Sequence, residues 1–243
     1  MDYTDLFSRH EKIALQCSGG KDSLACLHLL KDYWPKLTVY FLNSGDAFPE
    51  TLAVINNVAR TVPNFVEVKG NVHGVHTAFG IPSDIVPASS TAFAHMIDVN
   101  ADKVMITDRY TCCAHSIMYP LHQRMLDDGI TLIIRGQKAC DSYKSPALSG
   151  AIIDHLEFFF PLENWTDKEV YEYIVKHDIA LPLLYDDLTS SADCLTCTAW
   201  LSEGRGKYLN TYHPKSHVIY MERLNAIADA AAEHAENFRK ELA

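Results

Sequence analysis

The stretch "CSGGKDS", residues 17–23, decides the fold, because it stands between "KIALQ" at 12–16 and the apolar-periodic "LACLHLL" at 24–30. The short apolar run before it predicts a strand, and the residues after it recur at helical spacing. Two adjacent glycines between them predict a tight turn. A helix that begins at the carboxyl end of a parallel strand offers unpaired N–H groups and a positive dipole end to an anion. Gly19 and Gly20 let the backbone approach such a ligand without a Cβ in the way, Lys21 adds a charge, and Ser18 and Ser23 add hydroxyl donors. Asp22 is a candidate for positioning a metal or the ligand. The loop lacks the G-x-x-x-x-G-K-[ST] spacing of the Walker loop. The plain alternative is a strand-to-helix turn rich in small residues.

Outward from this unit, apolar segments and helical patterns alternate. "LTVYFLN" (37–43), "NFVEVKG" (64–70) and "ITLIIRGQ" (130–137) read as strands, and "FPETLAVINNVART" (48–61) and "SIMYPLHQRMLDDG" (116–129) as helices, the latter interrupted or started near Pro120. "DKVMITD" (102–108) reads as a strand or as a helical continuation of "AHMIDVNA" (94–101). Strands alternating with helices predict an α/β, doubly wound, mainly parallel sheet covered on both faces. After Asp154, Thr166 and Glu169 stand in capping-box spacing before "DKEVYEYIVKHD", and the tail from Tyr220 to Ala243 reads as one helix. The expected organisation is a nucleotide-binding core over 1–160 and a helical, cysteine-bearing C-terminal extension over 161–243, packed as one domain. Residues 71–100, with Gly, Pro, Ser and His, are expected to form a long loop or lid.

The bulk numbers bound the function. A chain of 243 residues with 48% hydrophobic and 21% charged residues buries a full core. No apolar run approaches the roughly 20 residues of a membrane helix, and "MDYTDLFSRHEK" lacks the apolar centre of a signal peptide, so a cytoplasmic protein without a membrane partner is expected. A formal charge of −10 argues against an extended non-specific grip on nucleic acid.

Seven cysteines, at 17, 26, 112, 113, 140, 194 and 197, suggest metal or redox chemistry in a reducing compartment. Cys17 and Cys26 read as core residues. Cys112 and Cys113 form a tandem pair, and Cys194 and Cys197 form "CLTC". Four thiolates suit an iron–sulfur cluster or a tetrahedral zinc, and the CxxC pair alone suits a redox dithiol. Cys140 lies in "RGQKACDSYKS" (135–145) just after a strand, beside Arg135, Gly136 and Lys138.

The SGGKDS string resembles the loop of the PP-loop, or N-type, ATP pyrophosphatases. Within them, "LNSGDAFPET" (42–51) and "WTDKEVYEYI" (165–174) with "LPLLY" (181–185) are similar to segments of the adenylyl-sulfate and phosphoadenylyl-sulfate reductases, with Asn43 in place of an aspartate. The resemblance implies an adenine nucleotide (ATP or adenylyl sulfate) held by the phosphate loop together with Asn43, Gly45, Asp46, Arg135, Gly136 and Lys138, and Mg2+ bridging phosphates. Lys138 stands where arginine is usual, which replaces a bidentate fork by a point charge. It also implies a 4Fe-4S cluster on Cys112, Cys113, Cys194 and Cys197, close to the nucleotide.

The reductases pass sulfonate to a cysteine in a C-terminal E-C-G-L/I-H motif, and this sequence has no cysteine after Cys197. Three functions therefore stand side by side. The first is ATP pyrophosphatase-type sulfur transfer, in which Lys21 and Asp22 assist adenylylation of an acceptor that is then thiolated. The second is a reductase with an unusual sulfur acceptor such as Cys140. The third is a nucleotide-binding or cluster-sensing subunit without turnover. The partners implied are a sulfur-donor protein or thiol reductant, and a nucleic-acid acceptor reached through another subunit. A homodimer is compatible with the resemblance.

Overall fold

Along the chain the first elements are α1 (Thr4–Ser8), β1 (Ile13–Gln16), α2 (Lys21–Leu29), β2 (Leu37–Asn43), α3 (Pro49–Thr61) and β3 (Phe65–Lys69). Next come α4 (Val72–Phe79), β4 (Ile81–Ser83), α5 (Ala92–Ile97), β5 (Ile106–Asp108) and α6 (Arg109–Cys113). The last are α7 (Tyr119–Asp127), β6 (Leu132–Ile134), β7 (Ile152–Ile153), β8 (Leu156–Phe159), α8 (Asp167–Lys176), α9 (Arg205–Tyr212) and α10 (Pro214–Glu241). The structure, a computed structural model, describes residues 3–97, 103–142, 144–145, 147–188, 193–201 and 204–243. Two compact units interleave in sequence: one is traced by Met1–Asn43, Pro49–Val68 and Pro120–Leu183, the other by Ser44–Phe48, Lys69–Tyr119 and Leu184–Ala243.

The first unit is built on a six-stranded sheet of order β3-β2-β1-β6-β8-β7. β1 pairs in parallel with both β2 and β6, β6 pairs in parallel with β8, and the edge pair β7–β8 is antiparallel. Successive side chains of a strand point to opposite faces, and β1 buries both. Ile13 and Leu15 join Leu24, Leu27 and Leu30 in one core, while Ala14 joins Tyr40, Met125 and Ile133 in the other. This is the doubly wound α/β sheet expected from the sequence. The chain leaves β1 outward to β2 and β3 and returns to β6 on β1's other side. Ligands of open parallel sheets bind at the carboxyl ends of strands at such a reversal.

The second unit carries the parallel pair β4–β5. One of its cores gathers Phe48, Leu184, Leu188, Tyr208, Leu209 and Tyr220, and another gathers Val72, Cys112, Cys194, Cys197 and Ala199.

Several boundaries differ from the sequence reading. Residues 71–97 are not a long loop but hold α4, β4 and α5. Asn71 caps α4 by accepting from Gly74 N at 2.9 Å, and Gly80, at φ 101°, ends it. A Cβ at Gly80 would lie 2.4 Å from the carbonyl carbon of Met105, so only glycine fits. The elements are too short for their periodicity to outweigh a loop-like composition. The helical continuation across 98–101 lies outside the described residues. α2 begins inside the quoted loop, at Lys21, and gives way to a 3-10 turn over Lys31–Lys36; α10 begins at Pro214, with proline in its first turn. The capping box of α8 is present in both directions. No helix among the described residues is long and apolar enough to cross a membrane.

Candidate functional site

The carboxyl ends of β1 and β6 carry a site made wholly of first-unit residues. Cys17 N donates to Tyr40 O at 2.9 Å, which extends the strand pairing to the edge of the loop. Gly19 then takes φ 83°, and a Cβ there would come within 2.9 Å of Thr51 Cγ2. α2 opens with Gly20 as N-cap and no capping side chain on its first turn, which leaves that turn's N–H groups to a ligand. Ser23 Oγ donates to Gly20 O at 2.9 Å, and the Ser18 and Ser23 hydroxyls lie 3.4 Å apart. The loop after β6 presses on this turn: a Cβ at Gly136 would lie 2.5 Å from the backbone oxygen of Asp22.

Charge is concentrated at the same point. Lys138, its side chain 1% exposed, donates to Asp22 Oδ1 at 2.6 Å and pairs with Asp141 Oδ1 at 2.8 Å and Asp167 Oδ1 at 3.5 Å. Lys21 donates to Asp22 Oδ2 at 2.9 Å and Asp167 Oδ1 at 2.6 Å. Burial alone would lower both ammonium pKa values, yet the carboxylate hydrogen bonds outweigh it, and both lie above the ordinary lysine value. The hydrogen bond from Lys21 holds Asp167 below the ordinary carboxylate range. Both ammonium groups are thus committed to carboxylates. Arg135 differs, since its guanidinium has no hydrogen-bond or ion-pair partner among the described residues, and burial holds it below the ordinary arginine value. Cys140 is exposed, with Sγ donating to Trp165 O at 3.5 Å.

The second unit brings the other cysteines together. Cys112, Cys194 and Cys197 share one buried cluster, and Cys113 interacts electrostatically with Cys112 and Cys197. Burial pushes the Cys112 thiol up to about 12 and the Cys113 thiol up to about 11, and raises Cys194 and Cys197 as well. Asp46 holds the "CLTC" turn, accepting from Thr196 N at 2.9 Å and Thr196 Oγ1 at 2.6 Å, while its backbone oxygen accepts from Leu195 N at 2.6 Å. Arg223 donates to Thr196 O at 3.2 Å, and Arg205, 2% exposed, donates to Cys197 O at 2.8 Å. His76 Nε2 lies 3.6 Å from Cys112 Sγ; burial, with Arg223 nearby, lowers its pKa to about 4. Among the described residues no three His, Cys, Asp or Glu side chains are gathered into a group that could hold a metal ion. In kind, four soft donors packed together fit a thiolate-bound centre, reached with release of their protons.

Of the residues singled out from the sequence, Ser18, Gly19, Gly20, Lys21, Asp22, Ser23, Gly136 and Lys138 meet around the phosphate loop. Asn43 donates to Glu67 Oε1 at 2.9 Å, and Gly45 and Asp46 lie in the second unit, where Asp46 holds the "CLTC" turn. Asp167 escaped sequence reasoning as a site residue although it lies inside the "WTDKEV" string. Arg205 and Arg223 left no local signal, and "HGVH" (73–76) was visible without any hint of its partner.

A family model described as "Phosphoadenosine phosphosulfate reductase domain" matches residues 12–200. A phosphoadenosine 5'-phosphosulfate reductase from Gloeobacter violaceus is 28% identical over 200 residues, covering 80% of this chain and 75% of that protein. An adenosine 5'-phosphosulfate reductase from Bacillus cereus is 23% identical over 198 residues, covering 79% and 76%. Among solved structures, the phosphoadenylyl-sulfate reductase of Candida auris in a phosphate complex superposes with a TM-score of 0.51 at 18% identity, over 75% of this chain and 81% of that one, a likeness of fold.

Proposed function

The chain belongs to the phosphoadenosine phosphosulfate reductase domain family, and from that premise we propose that it is an adenine-nucleotide-binding iron–sulfur enzyme of sulfur metabolism, which adenylylates an acceptor with ATP and then thiolates it. The observation that carries this reading is the company of the phosphate loop: Asp22, Asp141 and Asp167 crowd Lys21 and Lys138. Three carboxylates repel a bare phosphate chain, and they suit one that arrives with Mg2+.

In this mechanism the pyrophosphate portion of ATP lies on the first turn of α2 and draws Lys21 away from Asp22 and Asp167. Those two carboxylates would hold Mg2+, which neutralises phosphate charge. An acceptor oxygen attacks the α-phosphorus and the bond to the bridging oxygen breaks. Lys21 and the helix N-terminus stabilise the charge that collects on the departing pyrophosphate. A sulfide-level nucleophile then attacks the acceptor carbon, and AMP leaves with the acceptor oxygen. Arg135, free of carboxylates, is proposed to take an anionic group of the nucleotide, and Lys138 to fix Asp22. Cys112, Cys113, Cys194 and Cys197 would hold a 4Fe-4S cluster, which supplies a soft binding site for sulfur.

A second reading, reduction of adenylyl sulfate or phosphoadenylyl sulfate, is favoured by the relatives' activities; the exposed Cys140 thiol would then be the candidate nucleophile toward sulfur. Anaerobic holoprotein incubated with Mg-ATP and candidate acceptors should yield AMP and pyrophosphate in equal amounts. Sulfite from adenylyl sulfate and a thiol reductant, lost in Cys140→Ser, would replace the first reading by the second. Tight nucleotide binding with neither product would point to a subunit without turnover.

A further inference from the structure

Each of the four clustered cysteines has its own polar neighbour. Cys112 Sγ lies 3.6 Å from His76 Nε2, and Cys194 Sγ lies 3.3 Å from Ser44 Oγ. Trp200 packs against the cysteine cluster, and Arg205 Nη1 donates to the backbone oxygen of Cys197 at 2.8 Å. These neighbours come from four separate places, the loop after β2, α4, the turn after "CLTC", and α9. A buried hydrophobic cluster has no need of them. We infer that His76, Trp200, Ser44 and Arg205 are positioning residues that donate one hydrogen bond to each cysteine sulfur once it is a metal-bound thiolate, and so set the reduction potential and iron retention of the centre. This inference rests on the cluster proposed above.

Donor chemistry fits the assignment. The indole and guanidinium groups can only donate. His76 Nδ1 is buried without a hydrogen-bond partner among the described residues. Placing the ring hydrogen there would strand a buried N–H, whereas placing it on Nε2 aims it at Cys112. The Cys194 thiol donates to Ser44 Oγ while it keeps its proton. When metal loading removes that proton, the hydroxyl can turn and donate to the sulfur. Arg205 and Arg223 donate to Cys197 O and to Thr196 O and Oγ1, so two guanidinium groups stand at the turn that carries Cys194 and Cys197, where bound thiolates would be negatively charged. Hydrogen bonds and positive charge at the sulfurs both stabilise the reduced state, which carries one more electron.

The test uses the full chain purified without oxygen, assayed for iron and sulfide, and titrated to its midpoint potential by electron paramagnetic resonance. His76→Leu should keep the cluster but lower the equilibrium constant for reduction tenfold, about 59 mV more negative for a one-electron couple. It should also release iron faster to a ferrous chelator. His76→Asn, which restores a side-chain N–H, should return both values toward wild type. Trp200→Phe and Ser44→Ala should shift both in the same direction as His76→Leu, and they decide the question if His76→Leu does not hold a cluster. Loaded variants with wild-type potential and release rate would overturn the inference while leaving the cluster in place. A wild-type protein without iron and sulfide would overturn the cluster reading and this inference with it.

Discussion

Single residues at the phosphate loop carry unequal burdens. Gly136 leaves no room for a methyl group, because its Cβ would sit 2.5 Å from one backbone atom of Asp22 and 2.7 Å from the next. Gly136→Ala should therefore push the β6 loop off the first turn of α2, costing about 1–3 kcal/mol in denaturant unfolding and weakening nucleotide binding in the same preparation. Lys138 is committed to carboxylates in this structure. The sequence reads it as a point charge for phosphate or sulfate; its side chain is 1% exposed and pairs with Asp22 and Asp141, in keeping with the proposed task of fixing those carboxylates. Lys138→Ala leaves those carboxylates facing each other and should cost about 2 kcal/mol, allowing for their partial exposure. Lys138→Arg should not restore stability, since a planar fork does not fill the space of an ammonium group. The sequence reveals which residues are charged here, but not which charges cancel.

Elements were legible where their periodicity was long. The strand, glycine turn and helix around residues 12–30, the β2 segment, the capping box of α8 and the terminal helix all follow from spacing and cap chemistry. What lay hidden was α4, β4 and α5, where brief helices are set by one cap and one glycine rather than by an apolar stripe. The packing of elements in the first unit also makes a pH prediction. Asp128, just after α7, accepts from Tyr40 of β2 at 2.7 Å and from Arg124 Nε at 2.8 Å. Burial pushes its carboxyl up, but these bonds outweigh burial and hold it below the ordinary 3.8. The folded state thus binds fewer protons than the unfolded one at low pH. The stability contributed by this corner is present above 3.8 and lost as pH falls through the lower folded value. Denaturant midpoints followed from about pH 5 to about pH 2 should fall less steeply in Asp128→Asn than in wild type; parallel curves would show that the corner plays no part.

For the whole molecule, alternation of strands and helices was enough to expect the doubly wound sheet, and sheet topology then explains why the candidate phosphate loop follows β1 rather than another strand. The division into units was harder to read, because both are assembled from segments that interleave along the chain. Asp46 illustrates the difficulty: it stands three residues after Asn43 at the end of β2, yet its carboxylate is taken up by Thr196 in the cysteine-bearing turn. The proposed function requires that ATP bind with Mg2+ at the Lys21 loop. Calorimetric titration of the anaerobic holoprotein decides it. Saturable binding of Mg-ATP, weaker without Mg2+ and reduced at least about tenfold by Lys21→Gln, is the result expected. Binding of adenylyl sulfate or phosphoadenylyl sulfate that ignores Mg2+, with none of ATP, would contradict it.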